Sequence, residues 1–213
     1  MKKRKFKGAR MKTTLDRDAI TVWEGEKAHY GADQHWYKNR FEGMSGCGPT
    51  TAALITMYLA RVFPRCSGLY GYSFPAKKDE FALHMAEVRE FVKPGAMGLT
   101  DAGYFASSTA AFARERGVSL VSRILPNGAG AAEAFGEVKK AVDEGLMPAL
   151  LILRNPSVEL DDFTWHWMAV TGYDGEKGTV FVSTYAKEYE LGFSRAWVQY
   201  KPYHADVVIF YPD

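Results

Sequence analysis

A chain of 213 residues, 47% hydrophobic and 24% charged, is long enough for one large domain or two small ones and can bury a substantial core. Its formal net charge of +2 is small, and no apolar run reaches the length of a membrane-spanning helix. Two cysteines, Cys47 and Cys66, do not make a disulfide framework, so a reduced, cytoplasmic setting is expected.

Much of the basic excess lies in MKKRKFKGARMK at the start. The polar, broken TTLDRDAITVWEGE follows it, not the apolar core of a signal peptide. Residues 1–20 are therefore expected to be a basic, flexible segment, and 21–213 a single domain. Clustered Lys and Arg can also bind phosphates, but no nucleic-acid partner is expected.

His29 and His35 fall in a loop-like stretch before GMSGCGPTT, which leads into AALITMYLARVF. Residues 49–62 read as a helix: Pro49 suits the first turn, Ala53, Leu54, Met57, Tyr58 and Arg61 recur at helical spacing, and Pro64 stops the pattern. CSGLYGYSFPAKK has loop composition. DEFALHMAEVREFV and TDAGYFASSTAAFARERG predict two more helices, the second capped by Thr or Asp and closed by Gly117. SLVSRIL reads as a strand, AAEAFGEVKKAVDEG as a helix ending at Gly145, and MPALLILRN as a strand buried on both faces. The last third is β-rich: WHWMAVTGYD and GTVFVSTYA form a hairpin around Asp174–Gly178, and YELGFSRAWVQY and HADVVIFYP add strands with a short helical piece near Ser194–Trp197. Helices first and antiparallel strands last predict an α+β fold.

A cysteine at the start of a helix is chemically distinctive. The unpaired N–H groups and the macrodipole there favour the thiolate, which is the attacking species. Glycines on either side of Cys47 would let a substrate backbone approach, and its own N–H would be free to meet an oxyanion. The alternative is a small core cysteine beside a turn. Cys66 has no such setting and reads as structural. Among the five histidines, His166 stands out between Trp165 and Trp167 at the start of a strong β-run. It reads either as a base for Cys47 or as a packed core histidine. The histidines lack the spacing of a zinc helix, neither cysteine belongs to a CxxC pair, and GAGAAE at Gly128 lacks a dinucleotide fingerprint's third glycine. No metal or cofactor is expected.

Taken together, GCGPTTAALITMYL and HWMAVTGYDGEKGTVFVS resemble the two halves of a papain-like cysteine peptidase site. More narrowly they are similar to the bacterial bacteriocin leader peptidases, which cleave after double glycine. In that family Cys-Gly-Pro-Ser/Thr opens a long helix, a His-Trp/Phe strand ending in Gly-Tyr carries the base, and Asn or Asp follows on the next strand. The resemblance implies a papain-like fold, Cys47 as nucleophile, His166 as general base and then acid, and a peptide or small amide as substrate. It also implies an oxyanion-binding glutamine before the cysteine. Position 41 is Phe where papain's spacing would put it, so Gln34 is assigned, with Asn39 as the alternative. The family's Asn or Asp is replaced by Ser183 or Thr184 in VFVSTY; a hydroxyl can accept from the ring but brings no charge. A dyad, a carboxylate such as Asp162 or Glu188 in that role, or a degenerate site are the other implied outcomes. A papain-fold binding module without turnover, and a thiol acyltransferase or amidase, are the rival functions.

Overall fold

The computed structural model describes residues 11–95 and 98–213. At its centre is the helix opened by the Cys47 stretch. α2 (Cys47–Val62) begins two residues before Pro49, which still lies in the first turn, where its missing N–H leaves no hydrogen bond unmade. Every side chain from Cys47 to Ala60 is buried. The helix is enclosed all round because helices, a 3-10 turn and the main sheet all pack against it. Before it stands the short α1 (Arg40–Met44), capped by the Asn39 side chain. After it come α3 (Lys78–Arg89) and α4 (Ala102–Glu115). The Asp101 carboxylate caps α4 by accepting from the Tyr104 N–H at 2.8 Å, and Gly117 takes the left-handed φ of +71° just past its end. The stretch expected as a loop holds a 3-10 turn at Pro64–Leu69 that buries Cys66 completely.

The main sheet is antiparallel throughout. β5 (Leu120–Ile124), β6 (Ala149–Arg154), β7 (His166–Asp174), β8 (Thr179–Thr184), β9 (Lys187–Gly192) and β10 (His204–Pro212) pair in the order β5-β10-β6-β7-β8-β9. α5 (Ala131–Asp143) separates β5 from β6, and α6 (Phe193–Ala196) follows β9. The result is a mixed helix and antiparallel-sheet architecture. β7 is buried along its full length, with both α2 and α5 packed against it. A β-strand with nine buried residues reads as a continuous apolar run, which is how HWMAVTGYD looks in the sequence.

The N-terminal boundary needs correction. Residues 1–10 of the basic segment lie outside the described residues, but 11–20 are part of the fold. β1 (Lys12–Thr14) pairs with Gly172–Asp174 of β7, and Leu15, Ala19 and Ile20 are buried. The polar residues around this short strand hide its pairing from any periodicity argument. A second sheet, also unforeseen, joins β2 (Thr21–Glu24) to β3 (Lys27–Tyr30) antiparallel and to β4 (Ala76–Lys77) parallel. His29 therefore sits on a strand, while His35 lies in a 3-10 turn at Gln34–Trp36.

Candidate active site

Cys47 is the first residue of α2, with only 7% of its surface exposed. Its thiol faces the chain at His166: Sγ lies 3.9 Å from the Trp165 carbonyl oxygen, and the Trp167 N–H also points toward it. The contact is locked by neighbours of both residues. The Trp167 indole donates to the Leu99 carbonyl at 2.7 Å and stacks on Phe105 at 4.1 Å. The Leu99 side chain in turn packs so tightly on Gly48 that a Cβ there would come within 2.8 Å of it. The space over Gly46 is likewise filled by the Tyr37 ring. The glycines flanking Cys47 thus admit the protein's own side chains, not an open approach for a substrate backbone.

Burial also reverses the expected thiol chemistry. It pushes the Cys47 pKa up, although the N–H groups of Trp167, Gly48 and Cys47 itself pull the other way. His166, 5% exposed, is held down to about 4, first by burial and further by the nearby His35, with Asp33 opposing. At neutral pH the pair therefore rests as thiol and uncharged imidazole, not as thiolate and imidazolium.

The imidazole has a hydroxyl at one edge and a phenol over its face. Nε2 lies 2.6 Å from Thr184 Oγ1, and Nδ1 lies 3.4 Å from the Tyr185 hydroxyl. The Tyr185 ring stacks on that of His166 at 4.7 Å and 15°, and its hydroxyl donates to the Asp162 carbonyl at 3.3 Å. Three non-glycine residues here have left-handed backbones: Trp165 at φ +56°, Tyr185 at +50° and Ala186 at +57°. Such conformations persist only where the surroundings enforce them, and they concentrate at functional sites.

The remaining candidates divide clearly. Of the two hydroxyls expected at the ring, Thr184 is there and Ser183 is not. Ser183 points to the opposite face of β8 and donates to the Tyr30 carbonyl at 3.0 Å, filling the space left by Gly31, which takes a φ of +78°. Glu188 is paired with Arg17 at 3.5 Å, and Asp162 meets the site through its carbonyl. Asn39 spends its side chain on the cap of α1. Gln34 lies in the segment that crosses toward Tyr185; its Oε1 is buried with no hydrogen-bond partner. Beside it, Asp33 accepts from His35 Nδ1 at 2.7 Å, and the His35 ring lies over Tyr185 at 6.4 Å and 28°. A cavity of about 500 Å³ lined by His35, Tyr37, Asn39, Gly43 and Met44 adjoins this segment. Tyr185, Asp33 and His35 were missed by sequence reasoning; a Tyr-Ala turn carries none of the Asn-Gly signal that would have marked a two-residue hairpin.

No family model matches the chain, and no curated protein matches it. Among solved structures it is similar to the crystal structure of the Pseudomonas avirulence protein AvrPphB, at 14% identity and a TM-score of 0.36, over 78% of this chain and 89% of that one. So slight a likeness leaves the reading of the site to the chain's own geometry. Among the described residues no cluster of His, Cys, Asp or Glu could hold a metal ion, and no helix is long and apolar enough to cross a membrane.

Proposed function

We propose that the protein is a papain-like thiol hydrolase acting on a peptide-like amide, with Cys47 as nucleophile, His166 as base and Thr184 as the group that orients the ring. One observation carries the reading: the thiol at the start of α2 lies against the backbone on either side of His166, whose Nε2 is held by Thr184 at 2.6 Å. With Nε2 tied to Thr184, Nδ1 is the nitrogen left to take the thiol proton.

Because thiol and imidazole both rest uncharged, proton transfer to Nδ1 accompanies attack of sulfur on the carbonyl carbon. The oxyanion meets the Cys47 N–H and, with its carboxamide turned, the Gln34 amide, whose Oε1 is left unpaired in the present orientation. His166 then returns the proton to the leaving amine, the C–N bond breaks, and water releases the acyl group from sulfur. Leader-peptide cleavage after double glycine is the narrower form of this proposal; transfer of the acyl group to an amine is its variant.

A non-catalytic binding module is the second reading, favoured by the absence of a carboxylate on the ring and by the buried, neutral pair. Iodoacetamide labelling separates the two. The hydrolase reading expects Cys47 to label far faster than the fully buried Cys66, and His166→Ala to slow it. Equal labelling of both thiols, indifferent to His166, leaves only the binding module.

A further inference from the structure

We propose that the cavity beside Gln34, lined by Lys38, Asn39 and Arg40, is a subsite for a carboxylate of the substrate peptide, either an acidic side chain or the end of the chain. The inference rests on the Cys47–His166 reading above.

Two contacts tie the cavity to the groups assigned to the reaction. One wall is His35, whose ring lies over Tyr185, and Tyr185 in turn stacks on His166. Another wall is Gly43, packed so closely on Gln34 that a Cβ there would come within 3.3 Å of the Gln34 carbonyl oxygen. A volume of about 500 Å³ has room for a side chain and its carboxylate.

The charge of the lining decides what it holds. Lys38 and Arg40 are exposed, and among the described residues neither makes an ion pair. Asn39 adds a neutral donor: its Oδ1 accepts from the Phe41 N–H at 2.9 Å, so its Nδ2 is the end left for a ligand. Among the described residues no acid lines the cavity. Asp33 accepts from the backbone N–H and from Nδ1 of His35, at 2.9 and 2.7 Å. Glu42 and Asp79 line a neighbouring cavity that shares Tyr37 and Lys38. Asp161 and Asp162 belong to the 3-10 turn Val158–Phe163, which meets the site through the Tyr185 hydroxyl. Two unpaired cations and an amide donor favour an anion, and the guanidinium of Arg40 offers the planar fork that matches a carboxylate. A peptide with its carboxylate seated here would supply the partner that Lys38 and Arg40 lack.

The test is alkylation of Cys47 by iodoacetylated amino acids, in which sulfur displaces iodide and the amino-acid arm can reach the cavity. Iodoacetyl-aspartate and iodoacetyl-glutamate α-amides carry a side-chain carboxylate and iodoacetylglycine a terminal one; each is compared with its own neutral amide. An exposed ion pair of ordinary strength corresponds to a rate roughly fivefold higher for the acid than for its amide. Added salt should shrink that ratio. The double variant Lys38→Gln with Arg40→Gln should bring it close to one, and Arg40→Glu should turn the preference toward iodoacetyl-lysine amide. A preference for the side-chain acids identifies an acidic residue as the occupant; a preference for iodoacetylglycine identifies a chain end. Wild-type ratios close to one, or raised ratios that the double variant keeps, overturn the subsite. The hydrolase reading is judged apart from it, by whether His166→Ala slows the neutral probes. If those rates stay as they are while the acid preference stands, the carboxylate site survives and the hydrolase does not.

Discussion

Thr184→Val is the sharpest probe of the site because it keeps the β-branched shape and replaces with a methyl the hydroxyl 2.6 Å from His166 Nε2. His166 is 5% exposed, so water has little room to replace the lost partner. A buried polar group left unpaired costs about 1–3 kcal/mol. The deficit bears most heavily on the imidazolium, in which Nε2 must donate and finds no acceptor. Expressed at the transition state, that corresponds to a rate roughly ten- to a hundredfold lower. The assay is the burst of nitrophenolate as Cys47 is acylated by nitrophenyl acetate, run beside thermal unfolding. Thr184→Asn, which returns an acceptor to the same place, should recover most of the rate. A Thr184→Val protein that folds normally and acylates at the wild-type rate would show that this hydroxyl does not support the ring during proton transfer.

Two further outcomes follow from the same contacts. Ser183→Ala removes the 3.0 Å bond to the Tyr30 carbonyl and should lower stability by about 1 kcal/mol in a denaturant titration, while acylation stays near wild type; a large fall in acylation at full stability would return Ser183 to the ring. His166 also carries a pH signature. Its folded pKa of about 4 lies below the usual 6.5, so as pH falls through 6.5 the unfolded chain takes a proton that the folded one refuses. Stability is then full above that value and falls by about 3 kcal/mol as pH drops to the folded pKa. His166→Gln should shrink this acid loss, measured as urea midpoints at stepped pH, to the part left by His84, which burial holds down in the same direction, and by the depressed carboxyls of Glu24 and Glu87 at the acid end. An unchanged acid loss would mean that His166 is not the buried neutral group described here.

The sequence by itself marked the pieces that depend on near neighbours. Helical spacing and Pro64 delimited α2, continuous apolar runs marked β6 and β7, and the two motifs singled out Cys47 and His166. It missed β1 to β3, which are three or four residues long and too polar for any period to show. The choice between Ser183 and Thr184 was closed to it as well. Adjacent strand residues face opposite sides, and only the pairing of β7 with β8, broken by a bulge between Val170 and Gly172, decides which one meets the ring. The thiol makes the same point in its chemistry. A helix start is a local property and argues for a lowered pKa. The burial that raises it is tertiary, with Trp165, 118 residues away in the chain, in contact with the thiol, and at this site the long-range effect wins.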